Sequence, residues 1–235
     1  MNLVLLDQSD FIAPGRVRLE GRRLAHVMEI HRAVIGDHLA VGVVNGRMGR
    51  GLVTRLDPTV LELGVLLDQD PPPKLPLTLV LALPRPKVLN RALVAATSLG
   101  VARIVLINAW KVEKSYWKSP RLSDENLMLQ RILGLEQAKD TVLPELSLAR
   151  FFKTFVDEEL PTLLKDTLPL VAHPGASESC PRGLSSPLTL AIGPEGGWLE
   201  SELQSLIAIG FLPVDLGPRI LRVETALASL LGRLC

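Results

Sequence analysis

The sequence predicts an α/β protein, in which a parallel sheet covered by helices follows a small β-rich domain. Three observations carry this. From residue 77 onward, short apolar runs alternate with helical patterns, as strands joined by crossover helices do. Before residue 70 the chain reads mostly as short strands with close turns, the pattern of a small barrel. Between the two stand Pro71, Pro72 and Pro73, a stiff spacer that neither strand nor helix can contain. The domains expected are therefore 1–70 and 74–235.

In the first stretch the β-type runs are LVLL (3–6), RVRL (16–19), LAVGVV (39–44), GLVTRL (51–56) and VLELGVLL (60–67). Asn45-Gly46 lies between two of them, a strong hairpin signal. One helix interrupts: Leu24, Val27, Met28 and His31 fall at i, i+3, i+4 and i+7, which predicts one buried face. In the second stretch LTLVLAL (77–83) reads as a buried strand and KVLNRALVAATSLG (87–100) as a helix closed by Gly100. Strand 103–108, helix 125–138, a helix around 150–164 and strands 169–173 and 188–193 follow. Helix 199–210, strand 212–217 and helix 223–234 complete the pattern. All-parallel pairing with both faces covered is expected.

Apolar residues make up 47% of the 235, enough for a sizeable core, and 22% are charged, near the globular average. No apolar run approaches the roughly 20 residues that span a bilayer. Residues 1–11 have no basic leader region. Cys180 and Cys235 are far apart and form no CxxC pair, so a reducing, cytoplasmic setting without a structural disulfide is expected. His26, His31, His38 and His173 show no metal-ligand spacing, and no metal is expected. The net charge of +1 hides an uneven distribution: −1 over 1–73, +8 over 74–122 and −6 over 123–235. The middle stretch forms either a phosphate-binding surface or a set of separately solvated charges.

Two glycine-containing loops, each after a strand and before a helix, carry the chemistry: GPEGGW at 193–198 and GPRILRVET at 217–225. Ligands of parallel α/β sheets bind in such loops at the carboxyl ends of strands. Neither loop is a phosphate cradle of the GxxxxGK[ST] or GxGxxG type, and Glu195 places a carboxylate where phosphate would be repelled. A ligand with ribose hydroxyls, an adenine and a positive centre fits better, and S-adenosylmethionine is one.

Together, IGPEGGW (192–198) and LGPRILRVETA (216–226) closely resemble the C-terminal signatures of the RsmE family. These are SPOUT-class methyltransferases acting on uridine N3 of small-subunit (16S) ribosomal RNA. GRRLAHVMEIHRAVIGD (21–37), LGVARIVLINAWKVEKS (99–115) and LEQAKDTVLPEL (135–146) resemble its other motifs more loosely, in the right order. The chain departs at Ser98, usually Glu; at Lys114, usually Arg; and at Ala138-Lys139-Asp140, usually Ser-Gly-Arg. The resemblance implies a trefoil-knotted SPOUT domain in the C-terminal part and a PUA-like β-barrel before it. It also implies a homodimer through the C-terminal domain and S-adenosyl-L-methionine as cofactor. The implied partner is small-subunit ribosomal RNA or the 30S subunit, with no membrane.

Under that resemblance His173, Ile192, Gly193, Glu195, Gly196 and Gly197 are expected on one wall of the cofactor pocket. Leu216, Gly217, Ile220 and Leu221 are expected on the other. Arg222 and Glu224 are the expected catalytic pair; the alternative is a structural ion pair at a helix start. Arg16, Arg18, Arg22, Arg23 and Arg32, with Lys87, Lys114 and Arg219, are candidate RNA contacts. Trp110, Tyr116 and Trp117 lie among lysines and either stack on bases or pack internally. Trp198 is open in the same way. Competing functions are a Rossmann-type oxidoreductase, a non-catalytic RNA-binding protein and a SPOUT enzyme with another RNA target.

Overall fold

The computed structural model describes residues 2–234, so Cys235 lies outside the described residues. The chain forms two compact units: Met1–Pro73 with Ile132–Leu143, and Lys74–Arg131 with Pro144–Cys235. The stretch from 74 onward, expected as one continuous domain, thus lends a short segment to the first unit.

The first unit has strands β1 (Val4–Leu6), β2 (Phe11–Ala13), β3 (Arg16–Leu19), β4 (His38–Val43), β5 (Met48–Leu56) and β6 (Leu61–Gln69). They form one sheet in the order β1-β4-β5-β6-β3-β2. All neighbours are antiparallel except β1 and β4. β1 and β2 lie at opposite ends of that order, so strand pairing leaves the sheet open, not closed into the expected ring. Asn45-Gly46 turns the β4–β5 hairpin with Asn45 at φ 57°, a left-handed geometry that Asn tolerates. In β3 and β6, Val17, Leu19, Leu61 and Leu63 enter the core while Arg16 and Arg18 point outward.

Helix α1 (Gly21–His26) runs into a π turn, Val27–His31, ended by Arg32 at φ 50°. Leu24 and Val27 are buried as expected, but Met28 and His31 are exposed. The wider π turn shifts the helical phase and carries them off the buried face. On the other side of the sheet, Leu3 and Leu5 of β1 meet Leu135, Ile132 and Leu143. The segment 132–143 therefore supplies core residues to the first unit.

The second unit follows the expected alternation. It contains β7 (Leu75–Ala82), α2 (Pro86–Ser98), β8 (Val101–Ile107), α3 (Asp124–Ala138, its last turns in the first unit) and β9 (Glu145–Ala149). Then come α4 (Phe152–Thr154), a π turn (Phe155–Glu159), α5 (Leu160–Leu163), β10 (Leu168–Ala172) and β11 (Leu188–Ile192). The chain continues with α6 (Glu200–Ala208), β12 (Leu212–Val214) and α7 (Val223–Leu234). The sheet order is β12-β10-β11-β7-β8-β9, parallel throughout. Every residue of central β11 is buried, as covering on both faces requires. Leu227, Leu230, Leu231 and Leu234 of α7 are covered inside the unit, so this helix has no surplus apolar face.

Candidate functional site

Three loops leave the carboxyl ends of neighbouring strands and enclose a cavity of about 320 Å³. Ala172, His173 and Pro174 come from the end of β10, Ile192 to Glu195 with Gly197 and Trp198 from the end of β11, and Val214 to Leu216 from the end of β12. The chain leading into α7 adds Arg219, Ile220, Leu221, Arg222 and Val223, and α7 itself adds Ala226 and Leu230. The volume lies at the lower end of the roughly 300–1,000 Å³ of small-molecule sites.

The loops are held by backbone-directed bonds. Asp215 ends β12, and its carboxylate accepts from the Gly217 N–H at 3.1 Å and the Gly175 N–H at 3.1 Å. One side chain thus ties the loop after β12 to the loop after β10. Gly217 has φ 118°, a conformation open to glycine. Gly197, at φ 70°, closes a turn by donating to the Pro194 carbonyl at 2.8 Å. The second glycine of that loop is fastened from outside: the Lys111 ammonium donates to the Gly196 carbonyl at 2.7 Å. The Glu195 carboxylate accepts from the Arg85 N–H at 3.0 Å, just before α2.

Of the residues expected on the cofactor walls, His173, Ile192, Gly193, Glu195, Gly197, Leu216, Ile220 and Leu221 line the cavity. Gly196 does not; a Cβ there would meet the Lys111 side chain at 2.8 Å. Gly217 also lies off the wall, in the turn held by Asp215. At Gly193 a Cβ would come within 3.2 Å of both the backbone N and Nε1 of Trp198, so this glycine is needed for close approach. Sequence reasoning missed Asp215 and left Trp198 open. Trp198 is 5% exposed and packs on Phe152, with ring centroids 6.1 Å apart. Its Nε1 is buried and makes no hydrogen bond.

The expected catalytic pair is split. Arg222 lies on the cavity wall and is exposed. Glu224 is off the wall and accepts from Arg91 Nη1 at 3.4 Å. It therefore serves a contact between α7 and α2, and is neither the partner of Arg222 nor a wall group. Arg219, expected as an RNA contact, also lines the cavity.

Four of the five amino-terminal arginines have carboxylate partners. Arg16 and Arg18 both bind Glu62, at 3.1 and 2.8 Å. Arg22 makes a two-pronged contact with buried Glu136 at 2.7 and 2.8 Å, and Arg23 does the same with Asp10. Each neutralises a carboxylate that burial would otherwise destabilise, while Arg16, Arg18 and Arg22 stay partly exposed. Arg18 and Glu62 stand directly opposite each other in β3 and β6. Arg32, Lys87 and Lys114 are exposed. Among the described residues no group of three or more His, Cys, Asp or Glu side chains could hold a metal ion, and no helix is long and apolar enough to cross a membrane.

Residues 71–235 match the family model described as RNA methyltransferase domain. The chain is 31% identical to Ribosomal RNA small subunit methyltransferase E of Treponema pallidum, over 96% of this chain and 87% of that one. Among solved structures it resembles a Ribosomal RNA small subunit methyltransferase E from Neisseria gonorrhoeae bound to S-adenosyl methionine, with TM-score 0.75 and 22% identity over 98% of this chain and 95% of that one. It also resembles a methyltransferase of Legionella pneumophila in complex with the bound cofactor SAM, with TM-score 0.73 and 24% identity over 98% and 96% of the two chains. The family match over residues 71–235, the sequence kinship and the likeness of fold agree, and the chain belongs to the ribosomal RNA small subunit methyltransferase E family.

Proposed function

We propose that this enzyme transfers a methyl group from S-adenosylmethionine to N3 of a uridine in small-subunit ribosomal RNA. The observation that carries the reading is the cavity at the ends of β10, β11 and β12, walled by the two glycine loops that mark the family. Its residues fit this cofactor. The walls are largely apolar, with a few polar groups among them, and the unpartnered Trp198 Nε1 lies in one of the lining residues.

When bound, the cofactor supplies an electrophilic methyl on a positively charged sulfur. The protein's part is to hold the uridine as its N3 anion, in line with that methyl. Arg222, on the wall and exposed, stabilises the negative charge that forms as N3–H loses its proton. Glu224 is engaged with Arg91, so the proton passes to water at the open rim. Transfer to N3 would be direct, with no side chain of the protein taking up the methyl group.

The same reading makes residues 1–70 a PUA-like RNA-holding domain and the part from 74 a SPOUT domain with a C-terminal trefoil knot. It also makes the protein a cytoplasmic homodimer joined through that domain. Calorimetry in chelator tests cofactor binding, and saturable heat is expected. Mass spectrometry of small-subunit ribosomal RNA from cells lacking the protein should show one methyluridine missing. An unchanged RNA would overturn the reading. Light scattering at micromolar concentration should give twice the chain mass.

A further inference from the structure

Two large aromatic side chains stand in solvent where the rest of the unit buries such groups. Trp110 is 79% exposed and Phe151 is 73% exposed. They follow adjacent parallel strands: the β8–β9 ladder ends where the Asn108 N–H donates to the Ala149 carbonyl at 2.9 Å. Each aromatic lies just beyond that point, on the edge of the sheet from which the cavity loops also leave.

Neither is a loose loop tip. The Trp110 N–H donates to Oε1 of buried Glu202 at 2.7 Å, while Oε2 of Glu202 caps α6 through the Leu199 N–H at 2.9 Å. Lys111, the next residue, holds the Gly196 carbonyl. Phe151 precedes Phe152, which packs on the cavity residue Trp198. The platform's backbone is thus pinned to the glycine loop while its ring faces remain bare. Trp117 behaves differently. Its Nε1 donates to Asn108 at 2.9 Å and the Arg150 guanidinium lies over its ring at 5.5 Å, so it is already used internally.

Charge says what covers the bare rings. Arg150 and Lys111, each next in sequence to one of the two aromatics, are exposed cations, Arg150 lying over Trp117 and Lys111 holding the Gly196 carbonyl, and neither has a carboxylate partner among the ion pairs of the described residues. Aromatic faces among cations fit an unpaired stretch of nucleic acid: bases stack on the rings and phosphates meet the cations. In the sheet order β8 is two places from β11, about 10 Å at the usual strand spacing. The platform is therefore placed for a neighbouring nucleotide and not for the one entering the cavity.

We infer that Trp110 and Phe151 form a stacking platform for an unpaired RNA base flanking the methylated uridine. This rests on the RNA-methylating reading above. The test measures binding of 30S subunits and of a short oligouridylate, with calorimetry of S-adenosylmethionine and light scattering on the same samples. Trp110→Ala and Phe151→Ala should each weaken RNA binding and raise the KM for RNA about 5- to 100-fold, the range for loss of one stacked base. Trp110→Phe should retain most of the affinity. Cofactor binding and thermal midpoint should stay at wild-type values, because both side chains are exposed. Quenching of tryptophan fluorescence by the oligouridylate should be present in wild type and reduced in Trp110→Phe. Unchanged RNA affinity in both alanine variants overturns the platform and leaves the functional reading intact. A change in oligomeric state instead assigns the surface to a second copy and also overturns it. Wild-type protein that binds cofactor but no RNA overturns the functional reading itself.

Discussion

Arg222 and Glu224 are close in sequence and separate in role. Arg222→Ala should lower turnover by about 10²- to 10³-fold, the scale for losing one donor to a developing anion. Cofactor affinity should barely change, and single-turnover kinetics beside calorimetry checks the split. Glu224→Gln should cost less than about 1 kcal/mol, as exposed pairs do, and leave turnover within a few-fold of wild type. The glycines of the second loop make a sharper contrast. Gly193→Val should abolish cofactor binding, because its side chain would strike the backbone of Trp198. Gly196→Val should keep binding within about tenfold of wild type, because it meets the flexible Lys111 chain outside the cavity. Calorimetry on the two variants decides. Most cavity residues were legible because glycine loops between strand and helix announce themselves. Asp215 was not: an acid at a strand end reads as ordinary turn chemistry, and the one of its two bonds that ties the loops together reaches Gly175, 40 residues away. The Arg91–Glu224 contact was hidden for the same reason, since it joins helices 133 residues apart.

The elements that sequence patterns missed are those whose environment breaks the pattern. β9 is an edge strand with only Ala149 buried, and its Glu-Leu-Ser-Leu alternation spans only four residues, the shortest run that signals a strand. Both π turns insert a residue into a helix, and no composition marks where. By contrast β7, β10 and β11, buried on both faces, were read from their apolar runs. Buried carboxylates make the stability of the first unit depend on the arginines that pair with them. Glu136 is 1% exposed and relies on Arg22. Arg22→Ala strands that carboxylate, and urea unfolding should show a loss of about 2–4 kcal/mol, below the full range for a buried pair because Arg22 is partly solvated. Glu62 is held below the usual carboxylate range, first by the hydrogen bond from Arg18, then by the charges of Arg18 and Arg16, against an opposing burial effect. Its folded value is lower than its unfolded one. It therefore stabilises above about pH 4.5, and this is lost as pH falls through the folded value. Unfolding curves between pH 7 and 3 should steepen at the acid end, and Glu62→Gln should remove that part of the slope.

At the scale of the molecule, the proline break and the change of periodicity announced two units, while nothing announced that one is discontinuous. Leu135 and Glu136 belong to a helix pattern that reads as part of its own neighbourhood. The partner surface of Leu3 and Leu5 becomes visible only once the chain has folded. A chain beginning at Lys74 should keep the cavity and bind cofactor within about tenfold of the full protein. It should lose amide-exchange protection over 132–143, whose apolar cover lies in the missing residues. Retained protection there would show that this segment is stable without the first unit. The discontinuity also bears on how the protein is made. A ribosome delivers residues 1–73 before 132–143, at roughly 5–20 residues per second, yet Leu3 and Leu5 lack the cover of Ile132, Leu135 and Leu143 until 132–143 emerges. The stretch 1–73 must wait for a later part of the message to be read, with β1 only partly covered in the interval. Nascent chains arrested at Pro73 should be cut readily by protease near β1, and those arrested after 143 has cleared the exit should resist.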